Sequence, residues 1–154
     1  MIRIRSGEDY TMHYADGGQY VGQIKQSLDG GIVRDGKGRM EYVDNVVFEG
    51  TFVDDDRCGY GILVSADGME CYKLNWNEDQ MDGIGSYSNK HLNLVIYDAL
   101  WSKGVLINGT LRANNTNEVY KGYFNSNMLP HGNGMLLYGN GDMYEGLFEN
   151  GVRS

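Results

Sequence analysis

What this sequence lacks narrows its function before any motif is considered. It contains no apolar run of the 18 or so residues that a membrane-crossing helix requires. It has one proline, Pro130, in 154 residues, so a continuous β-sheet is not repeatedly interrupted by residues that cannot donate to the ladder. Its two cysteines, Cys58 and Cys71, are too few for a disulfide framework and point to a reduced, intracellular chain. Basic residues are scarce: 13 Lys and Arg stand against 21 Asp and Glu, for a net charge of −8. Nucleic acids and anionic lipids both require a basic face. The densest basic cluster, Arg34, Lys37 and Arg39, is broken by Asp35 and followed by Glu41. Nucleic acid is therefore excluded as a partner, and direct membrane docking is disfavoured. The start, Met1-Ile2-Arg3-Ile4-Arg5, lacks the apolar core of a signal peptide and alternates like a strand that could cap a sheet edge. The sequons at Asn108 and Asn114 accordingly carry no weight.

What is abundant is organised. Aromatic openers stand at Tyr20, Phe48, Tyr72, Tyr97, Tyr120 and Tyr144, at intervals of 28, 24, 25, 23 and 24 residues. Four residues after each comes Ile24, Phe52, Trp76, Trp101, Phe124 or Phe148. Between opener and partner lies Gly22, Gly50, Leu74, Ala99, Gly122 or Gly146. A G-x-G pair follows at 36/38, 59/61, 83/85 and 132/134, with only Gly109 in the fifth block. A fixed period near 24 residues defines a repeat array. Positions i, i+2 and i+4 share one face of a strand. Asp16-Gly17, Asp67-Gly68 and Asn140-Gly141 provide turns. Each block is thus expected to be a β-hairpin, and residues 10–19 to be the second half of an incomplete one. The recurrent glycine implies a ring lying flat against backbone. The expected fold is all-β: an elongated, single-layer, twisted antiparallel sheet of consecutive hairpins with about 12 strands. Residues 1–154 are expected to form one domain.

The segments Phe48-Glu49-Gly50-Thr51-Phe52, Tyr120-Lys121-Gly122-Tyr123-Phe124 and Tyr144-Glu145-Gly146-Leu147-Phe148, each opening on aromatic-x-Gly, resemble the MORN (membrane occupation and recognition nexus) repeat over residues 10–151. The departures are the insertion between Gly22 and Gly36, the missing glycines at Leu74 and Ala99, and Ile107 where a G-x-G should begin. The resemblance implies a grooved sheet used for binding and scaffolding, with no catalysis of its own and no cofactor.

The residues agree with that implication. His13, His91 and His131 fall in separate blocks, with neither a metal-ligand spacing nor a catalytic triad pattern. Asp54-Asp55-Asp56 reads as a solvated acidic loop rather than a cation site. The G-x-G pairs open no helix and so are not phosphate cradles. The aromatic ladder holds a one-layer sheet together, and it is also the candidate groove for a partner's helix or extended peptide, through Tyr72, Trp76, Tyr97, Trp101, Tyr120 and Phe124. The chain stops halfway through a block after Tyr144 and Phe148. This leaves a candidate terminal edge for a partner subunit or a second copy. The function expected is a non-catalytic scaffold that binds another protein in the cytoplasm, within a cytoskeletal or other large assembly. The rivals are a membrane adapter that docks to lipid headgroups and a regulatory subunit of an enzyme on another chain.

Overall fold

The structure, a computed structural model, describes residues 3–154. It is all-β, and the chain divides into two compact units, residues 1–80 and 81–154. The first unit carries β1 (Tyr10–His13), β2 (Gln19–Gln26), β3 (Ile32–Glu41), β4 (Val47–Val53), β5 (Asp56–Val64) and β6 (Glu70–Asn77). The second carries β7 (Gln80–Asn89), β8 (Leu94–Ser102), β9 (Val105–Ala113), β10 (Val119–Phe124), β11 (Pro130–Leu137), β12 (Met143–Glu149) and β13 (Val152–Arg153). Within each unit the strands lie in sequence order, each antiparallel to its chain neighbours, as expected of consecutive hairpins. Residues 3–9 form no strand. The expected N-terminal strand is therefore absent over Arg3–Arg5, and its Met1 and Ile2 lie outside the described residues.

Two kinds of turn recur. After β1, β3, β5 and β11 the turn closes on an Asp or Asn side chain: Asp16, Asp44, Asp67 and Asn140 each accept the N–H two residues on through Oδ1. Gly17, Gly68 and Gly141 hold the left-handed position in these turns, and Asn45 takes it at φ 68° in the β3–β4 turn. The other kind is a two-residue turn with both residues at positive φ: Asp54 and Asp55 after β4, Glu78 and Asp79 after β6, Lys103 and Gly104 after β8, Asn150 and Gly151 after β12. Such turns match the twist of the strands they join. The insertion before Gly36 extends the β2–β3 hairpin, which closes at Ser27 and Gly31.

The glycine column works as the sequence implies. Gly22 faces Gly38, Gly50 faces Gly61 and Gly122 faces Gly134 across their ladders. A side-chain carbon added at Gly38, Gly61 or Gly134 would overlap the ring of Tyr20, Phe48 or Tyr120. Each opener thus lies down along its own strand, over a floor of bare backbone. The tyrosines fix this posture by donating to the carbonyl three residues on: Tyr20 to Gln23 at 2.6 Å, Tyr120 to Tyr123 at 2.6 Å and Tyr144 to Leu147 at 3.0 Å.

Reclining rings meet their neighbours edge to face. In the first unit Tyr20 contacts Phe52, and Phe48 contacts both Phe52 and Trp76, all with centroids 5.3 Å apart. In the second, Tyr120 contacts Phe124 at 5.4 Å and Phe148 at 4.9 Å. These distances suit the ring quadrupole. The core is thus one face of the sheet in each unit, roofed by its own side chains.

Candidate functional site

The proposed groove residues divide by burial. Trp76, Trp101, Tyr120 and Phe124 are buried; Tyr72 and Tyr97 are half-buried. Trp76 belongs to the first ladder, and its indole N–H finds no hydrogen-bond partner among the described residues. An orphaned donor costs free energy, so Trp76 is held in place by its ring. Of the terminal-edge residues, Phe148 is buried against Tyr120 and Tyr144, and Tyr144 is half-buried. Burial pushes the Tyr20 phenol up to about 12 and raises that of Tyr120 as well. The buried rings among them pack against their neighbours as framework.

One opener differs from its expected place. Ile96, not Tyr97, lies opposite Leu111 and occupies the buried column at 1 % exposure. Asp98, at φ 49°, sits in the irregular stretch between Tyr97 and Leu100. That extra residue restores Ala99 and Trp101 to the buried face. The signal was present in the spacing, because residues 72, 96, 120 and 144 fall every 24.

A second column escaped the sequence reading. Opposite Ile24, Phe52, Trp101, Phe124 and Phe148 stand Arg34, Arg57, Leu106, Pro130 and Arg153. In the first unit the arginines cap the ladder. The Arg34 guanidinium lies 4.7 Å from the Phe52 ring centroid and 6.0 Å from that of Tyr14. Arg57 lies 4.3 Å from Trp76 and 5.9 Å from Tyr42. Each is locked by the turn of the next hairpin: Arg34 Nε donates to Asp55 Oδ1 at 2.6 Å, and Arg57 Nε to Asp79 Oδ1 at 2.6 Å. Their second nitrogens donate to the backbone carbonyls of the same two aspartates. The acidic run is thus a structural turn, with Asp54 paired to Lys25 and Asp55 to Arg34. Among the described residues, no group of three or more His, Cys, Asp or Glu is placed to hold a metal ion.

The reachable features lie on the opposite face. In the first unit a shallow concavity of about 640 Å³ runs over the glycine floor. Val21, Tyr60 and Ile62 supply its apolar surface, and Lys37, Arg39, Glu49 and Asp9 its charge. Tyr60 is the x of a G-x-G and stands 58 % exposed. Ile62, two residues on along the same strand, shares its face and lines the concavity with it. In the second unit Ile84, Tyr123 and Leu147 are similarly exposed. This arrangement offers contact area and mixed charge, with no chemistry-bearing constellation.

A comparison with curated proteins returns no match. The family model of the MORN repeat matches at residues 48–70, 75–89 and 120–143. The first and third segments begin on the openers Phe48 and Tyr120. MORN repeats are non-catalytic modules that bind proteins or membranes. On a chain built of consecutive hairpins with reclining rings over a glycine floor, these three segments carry MORN repeats.

Proposed function

We propose that this chain is a non-catalytic scaffold that binds another protein through the faces its aromatic ladder holds rigid. The observation that carries this reading is Tyr60, exposed on a strand between two glycines and set in an apolar concavity with Val21 and Ile62. An aromatic ring on a rigid strand loses little entropy on contact, and such rings dominate binding energy at interfaces. The half-buried Tyr72 and Tyr97 remain reachable, as does Tyr144 at the terminal edge, where a second copy could also pair. Two free thiols accord with a cytoplasmic setting.

Membrane docking is the weaker reading. Lys37 and Arg39 share the concavity with Glu49 and Asp9, so no net positive surface meets headgroups there.

The test is affinity capture from the source cell with cross-linking and mass spectrometry, using the wild type beside Tyr60→Ala. A stoichiometric partner that is lost in Tyr60→Ala supports the reading and locates its surface. A partner retained by that variant moves the surface to the ladder or the edge. Salt-dependent binding to anionic liposomes without any protein partner overturns the reading in favour of the membrane adapter.

A further inference from the structure

Three mouths of the array carry a tyrosine at the end of one strand and an arginine at the start of the strand two further on. The pairs are Tyr14 with Arg34, Tyr42 with Arg57 and Tyr138 with Arg153, each guanidinium 5.6–6.0 Å from the ring centroid. The mouth between β9 and β11 breaks this pattern at every position. Ala113 stands where the tyrosine would, and Pro130, the only proline of the chain, stands where the arginine would. Gly151 takes the place of the locking aspartate. Its N–H donates to the Pro130 carbonyl at 2.8 Å, as Asp55 N–H does to Arg34 and Asp79 N–H to Arg57.

The three deletions leave an opening. A notch of about 150 Å³ is lined by Ala113, Pro130 and Gly151 together with Leu111, Tyr120 and Leu136. Apolar cavities of about that volume accept a benzene ring. Glu118 also lines the notch and forms no ion pair among the described residues.

We infer that this notch is a subsite for an aromatic side chain of a protein partner, and that a basic residue adjacent to it in the partner meets Glu118. The inference rests on the protein-binding reading and specifies one anchor of it. The array itself supplies the argument for the occupant, because a tyrosine ring stands at the equivalent position, beside an arginine, in three other mouths. The carboxylate supplies the charge preference.

The probes are p-cresol, the isolated tyrosine side chain, and the blocked dipeptides Tyr-Arg, Tyr-Glu and Leu-Arg, titrated into the full chain and followed by methyl NMR. The expected result is saturable shifts at Leu111, Ala113 and Leu136 with p-cresol and Tyr-Arg. Tyr-Arg should bind about fivefold more tightly than Tyr-Glu. Glu118→Gln should remove that preference, and Ala113→Tyr should abolish binding by refilling the notch. Equal binding by Leu-Arg, shifts spread over the whole chain, or no saturation would overturn the inference. So would p-cresol binding that survives in folded Ala113→Tyr. Glu118→Gln changes only a rim side chain, so the charge preference remains testable if Ala113→Tyr does not fold. These probes involve no natural partner, so their failure would leave the scaffold reading to be judged by the Tyr60→Ala capture.

Discussion

The two units use one floor and two kinds of roof. Both lay a ring over facing glycines, Tyr20 over Gly38 in the first and Tyr120 over Gly134 in the second. Above that floor the first unit caps its ladder with Arg34 and Arg57, each held by an aspartate from the next turn. The second unit caps with Leu106, 3 % exposed, and with Pro130, and uses arginine only at Arg153. The glycine–ring floor is therefore the part the architecture requires. The roof is free to vary, and its variation decides which mouths are sealed and which remain open.

The largest effect should be common to both units. Gly38→Val and Gly134→Val each drive a side chain into a ring that has nowhere to go, and each should cost about 3 kcal/mol. Equal losses in chemical denaturation would sharpen the idea of a shared floor; a loss confined to one unit would break it. Removing a cap should hurt only the first unit. Arg57→Met leaves the Trp76 ring without its cation and Asp79 without its partner, at a cost of about 2 kcal/mol. Hydrogen exchange should show the loss at β4–β6 and no change at β10–β12.

Alkali should act on both units. The Tyr20 phenol titrates near 12 in the folded chain, against 10 in an unfolded one. The unfolded chain therefore ionises first. The stability Tyr20 contributes is complete below pH 10 and is lost as pH rises toward 12. Tyr120 is shifted in the same direction. Phenolate absorbance should lag behind that of free tyrosine, and unfolding should follow as those buried rings ionise. Tyr20→Phe should reduce the alkaline loss in the first unit. The smallest effect is a gain. Ala113→Tyr combined with Pro130→Arg rebuilds the missing closure and should stabilise the second unit by about 1 kcal/mol in thermal melts.

The floor was legible in the sequence because each of its parts has a single physical cause. Gly50 and Gly61 must be bare for Phe48 to recline, and Gly17, Gly68 and Gly141 must adopt positive φ in their turns. The roof was not legible, because Arg34 and Asp55 are 21 residues apart and acquire meaning only when the strands are in register. For the same reason an acidic run looked like a solvated loop. Tyr97 reads as an opener by aromatic identity alone; the irregular stretch around Asp98 shows that spacing is the better guide. The candidate groove had a related weakness. A ladder of rings reads the same in sequence whether its members stand open or buried, and Trp76, Trp101, Tyr120 and Phe124 are buried.

The sequential strand order has a kinetic consequence. Within each unit every strand pairs only with the strands before and after it in the chain, so no hydrogen-bonded ladder must wait for a distant segment to arrive. Sheet proteins usually fold slowly because their pairings close long loops. Here a hairpin and its reclining tyrosine can form from one stretch of about 24 residues, and the next can add to its edge. The chain should fold by zippering from more than one starting block, faster than sandwiches and barrels of its size. It should also tolerate synthesis from one end, because each completed hairpin already holds its own ring.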